Sequence, residues 1–214
     1  MIKKAFVGLV ASTVFFILPA WLFVPRALYD SKLWIMLLIG VLASTTQPAY
    51  SPLDPNAPPE DRGTAKQLVW TVYIALIIGA FESLLLRYPE SMTWDSLSLI
   101  FLLVCFLGIT LRAWAVIVLG KFFSWHVSVQ PEQEVIRTGP YKFIRHPAYT
   151  GAWLLYVSCL FFIHAWFAGV LCGVFLLAAF IRRITYEEKL MLQTFGDGYE
   201  SYSSSVKRLI PMVW

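Results

Sequence analysis

YTGAWLLYVSCLFFIHAWFAGVLCGVFLLAAFI, Tyr149–Ile181, is an apolar run of about 33 residues with His164 near its middle, whereas about 20 residues suffice for one helical crossing of a bilayer. The run is too long for one upright helix and suits a tight hairpin turning around Ile163 to Trp166. Each arm is short for a full crossing unless the second continues as helix through Arg183 and Glu188 into water. The helix-forming residues Glu187, Glu188, Lys189, Leu190, Met191, Leu192 and Gln193 permit that continuation, and Gly196 stops it.

Both flanks of the run are charged. GPYKFIRHPAYTG (Gly139–Gly151) leads into it and RRITYEE (Arg182–Glu188) follows. If the run folds back on itself, the two clusters land on one side of a membrane and form a pocket there for a charged ligand.

Composition supports the membrane reading, because 58% hydrophobic and 14% charged residues lie far outside the usual soluble range. Apolar windows from Ala5 to Val24, Leu33 to Ala49, Leu68 to Leu86 and Leu97 to Leu119 add four spans to the hairpin. The expected fold is an all-α, polytopic transmembrane bundle in a single domain, with residues 1–95 as N-terminal helices and 96–214 as the core that holds the pocket. No cleavage site follows the N-terminal apolar run, so it reads as a span and not as a signal peptide.

Lys3, Lys4, Arg62, Lys66, Lys121, Arg137, Lys142, Arg145, Arg182, Arg183, Lys189, Lys207 and Arg208 fall on one side of this topology. Arg26, Lys32 and Arg87 fall on the other. The positive-inside rule then puts both termini and the pocket in the cytoplasm. The formal net charge of +4 is accounted for by topology and anionic membrane lipids, so no nucleic acid partner is expected. Cys105, Cys159 and Cys172 sit inside apolar runs and offer neither a disulfide framework nor a CxxC site. The proline-rich stretch Gln47 to Arg62 has no motif that carries chemistry and reads as a cytoplasmic connector over the site.

Each ionic residue also has a plain reading. Arg182 and Arg183 serve as snorkelling anchors, His164 as a polar turn residue on the exterior side, and Glu82 as a solvated group or a partner of Arg87. Arg112, inside a span, is a functional candidate by default. What anchoring does not explain is the convergence of Arg145, His146, Tyr141, Tyr149, Arg183, Glu187 and Glu188. Together they supply acceptors for ribose hydroxyls or an ammonium, donors for a carboxylate, and aromatic faces for a cation. A metal site fits poorly, since Glu187 and Glu188 diverge on a helix and His146 is a thin supply of nitrogen. No G-x-S-x-G accompanies His146 either.

EVIRTGPYKFIRHPAYTG (Glu134–Gly151), the apolar hairpin, and RITYEEKLMLQTFGDGYESYSSSVKRLIP (Arg183–Pro211) resemble the C-terminal signature of the isoprenylcysteine carboxyl methyltransferase and phospholipid methyltransferase family. The likeness covers about the last 100 residues, from LRAWAVIVLGKFF (Leu111–Phe123) onward. It implies a helical membrane bundle that encloses S-adenosylmethionine near the cytoplasmic face and admits a lipophilic or lipid substrate from the bilayer. Position by position it implies cofactor contacts from Gln130, Gln133, Glu134, Val135, Ile136, Tyr141, His146, Pro147, Ala148, Tyr149 and Glu187. Arg183, with Glu188 beside it, falls where the family holds the methyl acceptor. The loop between His126 and Gly139 is shorter and more acidic than in the prenylcysteine enzymes. The acceptor therefore stays open among a prenylcysteine, a phospholipid amine, a lipid phenol or carboxylate, and a thiol.

Methyl transfer from a sulfonium is an in-line displacement in which positioning contributes roughly 7 to 11 kcal/mol. A carboxylate acceptor needs no base and would be oriented by a bidentate pair with Arg183; an amine, phenol or thiol would need Glu188 or His146 as base. Two other readings compete: an NADPH-dependent sterol-type reductase, which shares a G-x-Y-x-x-x-R-H-P-x-Y-x-G pattern, and a non-catalytic membrane subunit or transporter. Glu187-Glu188 followed by Phe195-Gly196 favours the methyltransferase over the first. The gathering of charge on one face disfavours the second.

Overall fold

The computed structural model describes residues 2–46 and 58–210, and within them the chain is helical. Helix α1 (Ile2–Phe23) carries a widened turn at Thr13–Ile17, directly before Pro19, whose ring and missing N–H a regular turn does not accommodate. It is followed by α2 (Ser31–Thr45), α3 (Thr64–Leu86), α4 (Ser96–Leu119), α5 (Pro147–Phe162), α6 (Trp166–Phe195) and the short α7 (Asp197–Ser205).

Among the described residues, four helices are long and apolar enough to cross a membrane: α1, α3, α4 with its extension to Phe122, and α6; α2 and α5 are shorter. The protein is an integral membrane helical bundle. The expected end of the second span, at Ala49, and most of the proline-rich connector fall on residues 47–57, outside the described residues.

The hairpin turns at residues 163–165, with His164 in the left-handed region (φ 53°). Helix α6 then runs unbroken past Arg183 and Glu188 and ends at Gly196 (φ 50°). Without a hydrophobic effect between helices in lipid, close association relies on small residues that let backbones touch. α4 and α5 do this at Gly108 and Gly151. A Cβ on Gly108 would sit 2.6 Å from the Leu155 nitrogen, and one on Gly151 2.7 Å from both the Gly108 carbonyl and the Arg112 nitrogen. Side chains such as Leu155, Leu160, Cys172 and Leu176 fill the interior, while Leu103, Ile117, Val174 and Phe175 point outward, as lipid-facing residues must.

At the far end of α5 the structure adds to the plain readings. Lys32 is fully buried, and its Nζ donates to the Ser91 carbonyl (3.1 Å), Ser98 Oγ (2.7 Å) and the Phe162 carbonyl (3.0 Å). His164 is buried beside it, with Nε2 3.0 Å from Ser98 Oγ and Nδ1 3.2 Å from the Glu90 carbonyl. Glu82 does pair with Arg87 (2.9 Å), and its carboxylate also accepts the N–H groups of Phe167 (3.1 Å) and Ala168 (2.8 Å). It thereby caps the N-terminus of α6 and fixes the returning arm of the hairpin.

Candidate functional site

At the other end of α5, the chain enters the helix through a one-turn coil at Gly139–Lys142, opened by Gly139 (φ 58°), and through Pro147 in the helix's first turn, where its missing N–H costs nothing. This turn aims Tyr141, His146 and Tyr149 at the inner face of α6. The phenol of Tyr149 is the junction: its OH accepts from Arg183 Nε (2.7 Å) and donates to Glu187 Oε2 (2.6 Å). The ring is stacked between His146 (centroids 5.5 Å, 8°) and Phe180 (4.9 Å, 20°).

Arg183 is buried and tied on every edge. Nη1 donates to Asp61 Oδ1 (3.1 Å) and Thr64 Oγ1 (2.9 Å), and Nη2 to the Trp125 carbonyl (2.7 Å). With Nε engaged as well, four N–H bonds are committed, leaving one guanidinium hydrogen and the positive charge for a ligand. A second guanidinium stands nearby. Arg112 donates from Nη1 to the Ala148 carbonyl (2.9 Å) and lies 5.7 Å over the Trp125 ring.

Asp61, fully buried, accepts from the backbone N–H of Val127 (2.9 Å) and Ala65 (3.1 Å) and from Thr64 Oγ1 (3.2 Å), besides Arg183. Burial alone would raise its carboxyl pKa. The two backbone donors, Arg183 and Thr64 outweigh that and hold it below the usual carboxylate range. Tyr141 is shifted upward, first by burial and then by the nearby Glu187 charge, so it presents a neutral phenol.

Adjacent positions on a helix diverge, and the two glutamates of α6 go to different places. Glu187 lines the cavity. Glu188 is buried behind it, clamped by Arg145 Nε (2.8 Å), Arg208 Nη2 (2.9 Å) and His146 Nε2 (3.1 Å). Arg145 also donates to the Ser203 and Val206 carbonyls, and the backbone N–H groups of Arg145 (2.7 Å) and His146 (3.0 Å) bond the Lys207 and Arg208 carbonyls. The C-terminal segment is thereby laced to the turn before α5.

These groups wall a cavity of about 300 Å³. Its polar part is formed by Arg183, Glu187, Arg112, Tyr149 and the 124–128 segment, with Tyr199 and Tyr202 of α7 above. Its apolar part reaches Phe15 and Phe16 of α1, Met36 and Ile39 of α2, and Leu155 and Leu176. Of the residues expected at the site, Gln133, Glu134, Val135, Ile136, Tyr141, His146, Ala148, Tyr149, Arg183 and Glu187 line this one space. Gln130, Pro147 and Glu188 do not. The Gln130 backbone N–H instead donates to Gln133 Oε1 (2.8 Å), which shapes the turn. Asp61, Thr64 and Trp125 were not expected. The only sign of the first two in the sequence is the Asp-Arg-Gly-Thr breaker ahead of α3. The first forms part of a one-turn 3₁₀ segment, Pro59–Asp61, at the end of the connector read as carrying no chemistry.

The arrangement offers buried guanidinium groups for a carboxylate, two carboxylates in the cavity wall, Glu134 and Glu187, aromatic side chains and an apolar extension. Against known proteins, the model of the isoprenylcysteine carboxyl methyltransferase family matches residues 99–193. An Oryza sativa subsp. indica protein described as "probable protein-S-isoprenylcysteine O-methyltransferase" is 28% identical over 151 residues, covering 70% of this chain and 78% of its own. The protein-S-isoprenylcysteine O-methyltransferase of Schizosaccharomyces pombe is 28% identical over 161 residues, covering 66% and 67%. A solved structure of the eukaryotic intramembrane Ras methyltransferase aligns over 99% of this chain and 86% of its own, with a TM-score of 0.53 and 21% identity, a likeness of fold.

Proposed function

We propose that this chain, a membrane methyltransferase by its likeness over residues 99–193 to the isoprenylcysteine carboxyl methyltransferase family and to the relatives named above, transfers the methyl group of S-adenosylmethionine to the carboxylate of an isoprenylcysteine-like lipophilic acceptor. The observation that carries this reading is one cavity lined both by the ionic and aromatic groups Arg112, Arg183, Glu187 and Tyr149 and by apolar side chains of α1, α2 and α5. An amphiphile with an anionic head fits that polarity.

The residues present suit the methyl donor. Glu187 supplies an acceptor for an ammonium or ribose hydroxyls. His146 and Tyr141 would supply aromatic rings beside a sulfonium and Gln133 to Ile136 the adjoining wall, whereas Tyr149, stacked on both faces by His146 and Phe180, holds Glu187 through its hydroxyl. S-adenosylmethionine, when bound, supplies an electrophilic methyl group.

The protein's task is then alignment and exclusion of water. A carboxylate nucleophile arrives ionised, so no general base is needed, and Glu188, locked by two arginines and His146, is assigned a structural part. Arg183 offers the acceptor its charge and one remaining N–H, not the bidentate fork expected from its residue type. Arg112 is the second cation available to share the load. On the positive-inside count the cavity opens to the cytoplasmic side.

The test uses purified protein in detergent. S-adenosylhomocysteine is expected to bind by calorimetry and NADP not to. Wild-type protein should label an N-acetyl-S-farnesylcysteine with isotopic methyl, while Arg183→Ala and Glu187→Ala are expected to abolish turnover at near-normal expression. Wild-type rates in both variants would reject this site.

A further inference from the structure

Arg183 reaches Glu187 only through the Tyr149 hydroxyl, and the carboxylate in direct contact with its guanidinium is Asp61, at 3.1 Å. Asp61 lies outside the segment matched by the family model, 99–193. Its carboxylate is itself immobilised, Oδ2 by the Ala65 N–H at the start of α3 and Oδ1 by the Val127 N–H from the cavity wall. Thr64 takes the other bond from Nη1. The Nη1 edge of the guanidinium is therefore pinned to a rigid two-residue seat.

A planar guanidinium so held cannot turn about its own axis, and which edge meets a ligand is decided. Four cations, Lys4, Arg112, Arg145 and Arg183, line the same cavity, and Asp61 is the carboxylate that balances the charge of Arg183.

We propose that Asp61 is the positioning residue for Arg183: by seating Nη1 it makes the one uncommitted Nη2 hydrogen the donor presented to the methyl acceptor, and by holding Val127 it sets the wall beside that acceptor. The proposal rests on the acceptor reading above, and its test separates the two. Full-length wild type, Asp61→Asn and Asp61→Ala are compared in lipid nanodiscs. Asn keeps the shape and an acceptor oxygen but loses the charge.

Phenylglyoxal labelling of Arg183, read by peptide mass spectrometry, needs no substrate and should accelerate several-fold in both variants. With N-acetyl-S-farnesylcysteine, the KM for the acceptor should rise about tenfold in Asp61→Asn, as expected for a desolvated charge pair reduced to a neutral bond. S-adenosylhomocysteine affinity should stay within about twofold, since the donor's contacts are not made by Asp61. Unchanged labelling and unchanged KM would overturn the proposal. So would a parallel loss of acceptor turnover, S-adenosylhomocysteine binding and thermal stability, which would make Asp61 a fold residue alone. If wild type fails to methylate that acceptor while the labelling contrast holds, the acceptor assignment falls and Asp61 keeps its role on Arg183.

Discussion

Each end of α5 carries a buried cation, Arg183 at one and Lys32 at the other, and they differ in what they have left to give. Lys32 places Nζ against two carbonyls and a hydroxyl, which engages all of an ammonium's donors. It lies fully buried between the Trp94 and Phe162 rings, 5.9 and 5.2 Å from their centroids. Arg183 is as deeply placed, yet it faces a cavity and retains a donor. Burial of charge in a membrane protein marks a residue as consequential. Unspent bonding capacity beside open space is what separates a binding group from a staple.

The sharpest way to break this contrast is to remove each cation in turn. Arg183→Ala should lower methyl transfer per folded molecule at least about thirtyfold, because truncating one partner of a buried hydrogen-bonded charge pair costs about 2 to 5 kcal/mol or more. Lys32→Met should leave that rate unchanged. A comparable loss in Lys32→Met would mean that the far end is coupled to the chemistry.

The Lys32 change should appear in stability instead. Met fills a similar volume but strands the Ser91 and Phe162 carbonyls, while the Ser98 hydroxyl keeps Asp95 and His164 as partners. Hydrogen bonds to a charged group contribute roughly 1.5 to 3 kcal/mol, so thermal unfolding in detergent should show a loss of roughly that size. A melting curve identical to wild type would show that the network is decorative.

The same contrast explains what the sequence could reveal. The helical bundle and the hairpin around 163–165 follow from apolar length alone, and the cavity's aromatic and ionic wall follows from the order of motifs flanking the hairpin. Asp61 and Trp125 were hidden because they reach Arg183 across 122 and 58 residues of chain, through loops without periodicity. The burial of Lys32 and His164 was hidden for a related reason: a polar residue at a span boundary looks the same whether a neighbouring helix covers it or water does. Only packing distinguishes the two, and here Phe162 and Trp94 provide the cover. Glu187 and Glu188 could be told apart by helical phase as diverging, but not by which of them faces the ligand.

Asp95 gives the far end a pH signature. Hydrogen bonds from the Ser98 hydroxyl and N–H, opposed by partial burial and aided by His164, bring its carboxyl down to about 2. A depressed carboxyl contributes stability above its ordinary value near about 4, and that contribution is lost as pH falls through the folded-state value. Wild type should therefore melt above Asp95→Asn at neutral pH, and the gap should close between about pH 4 and pH 2. A gap independent of pH would assign the effect to shape and not to charge.

The smallest expected effect lies at the cavity end, in the cover that α7 provides. The Tyr202 hydroxyl donates to the Tyr141 carbonyl at 2.7 Å, and burial pushes its own pKa up to about 12, so it remains a donor throughout the working range. Tyr202→Phe removes this bond while keeping the ring that lines the cavity, and a neutral hydrogen bond of this kind contributes about 0.5 to 1.5 kcal/mol. The melting temperature should fall slightly, and S-adenosylhomocysteine affinity should change by less than about threefold, because Arg145 and the backbone bonds at 144–146 still hold the C-terminal segment in place. A larger drop in affinity with an unchanged melting temperature would mean that α7 closes over the donor when it binds. The cavity end would then differ from the far end in mobility as well as in unspent hydrogen bonds.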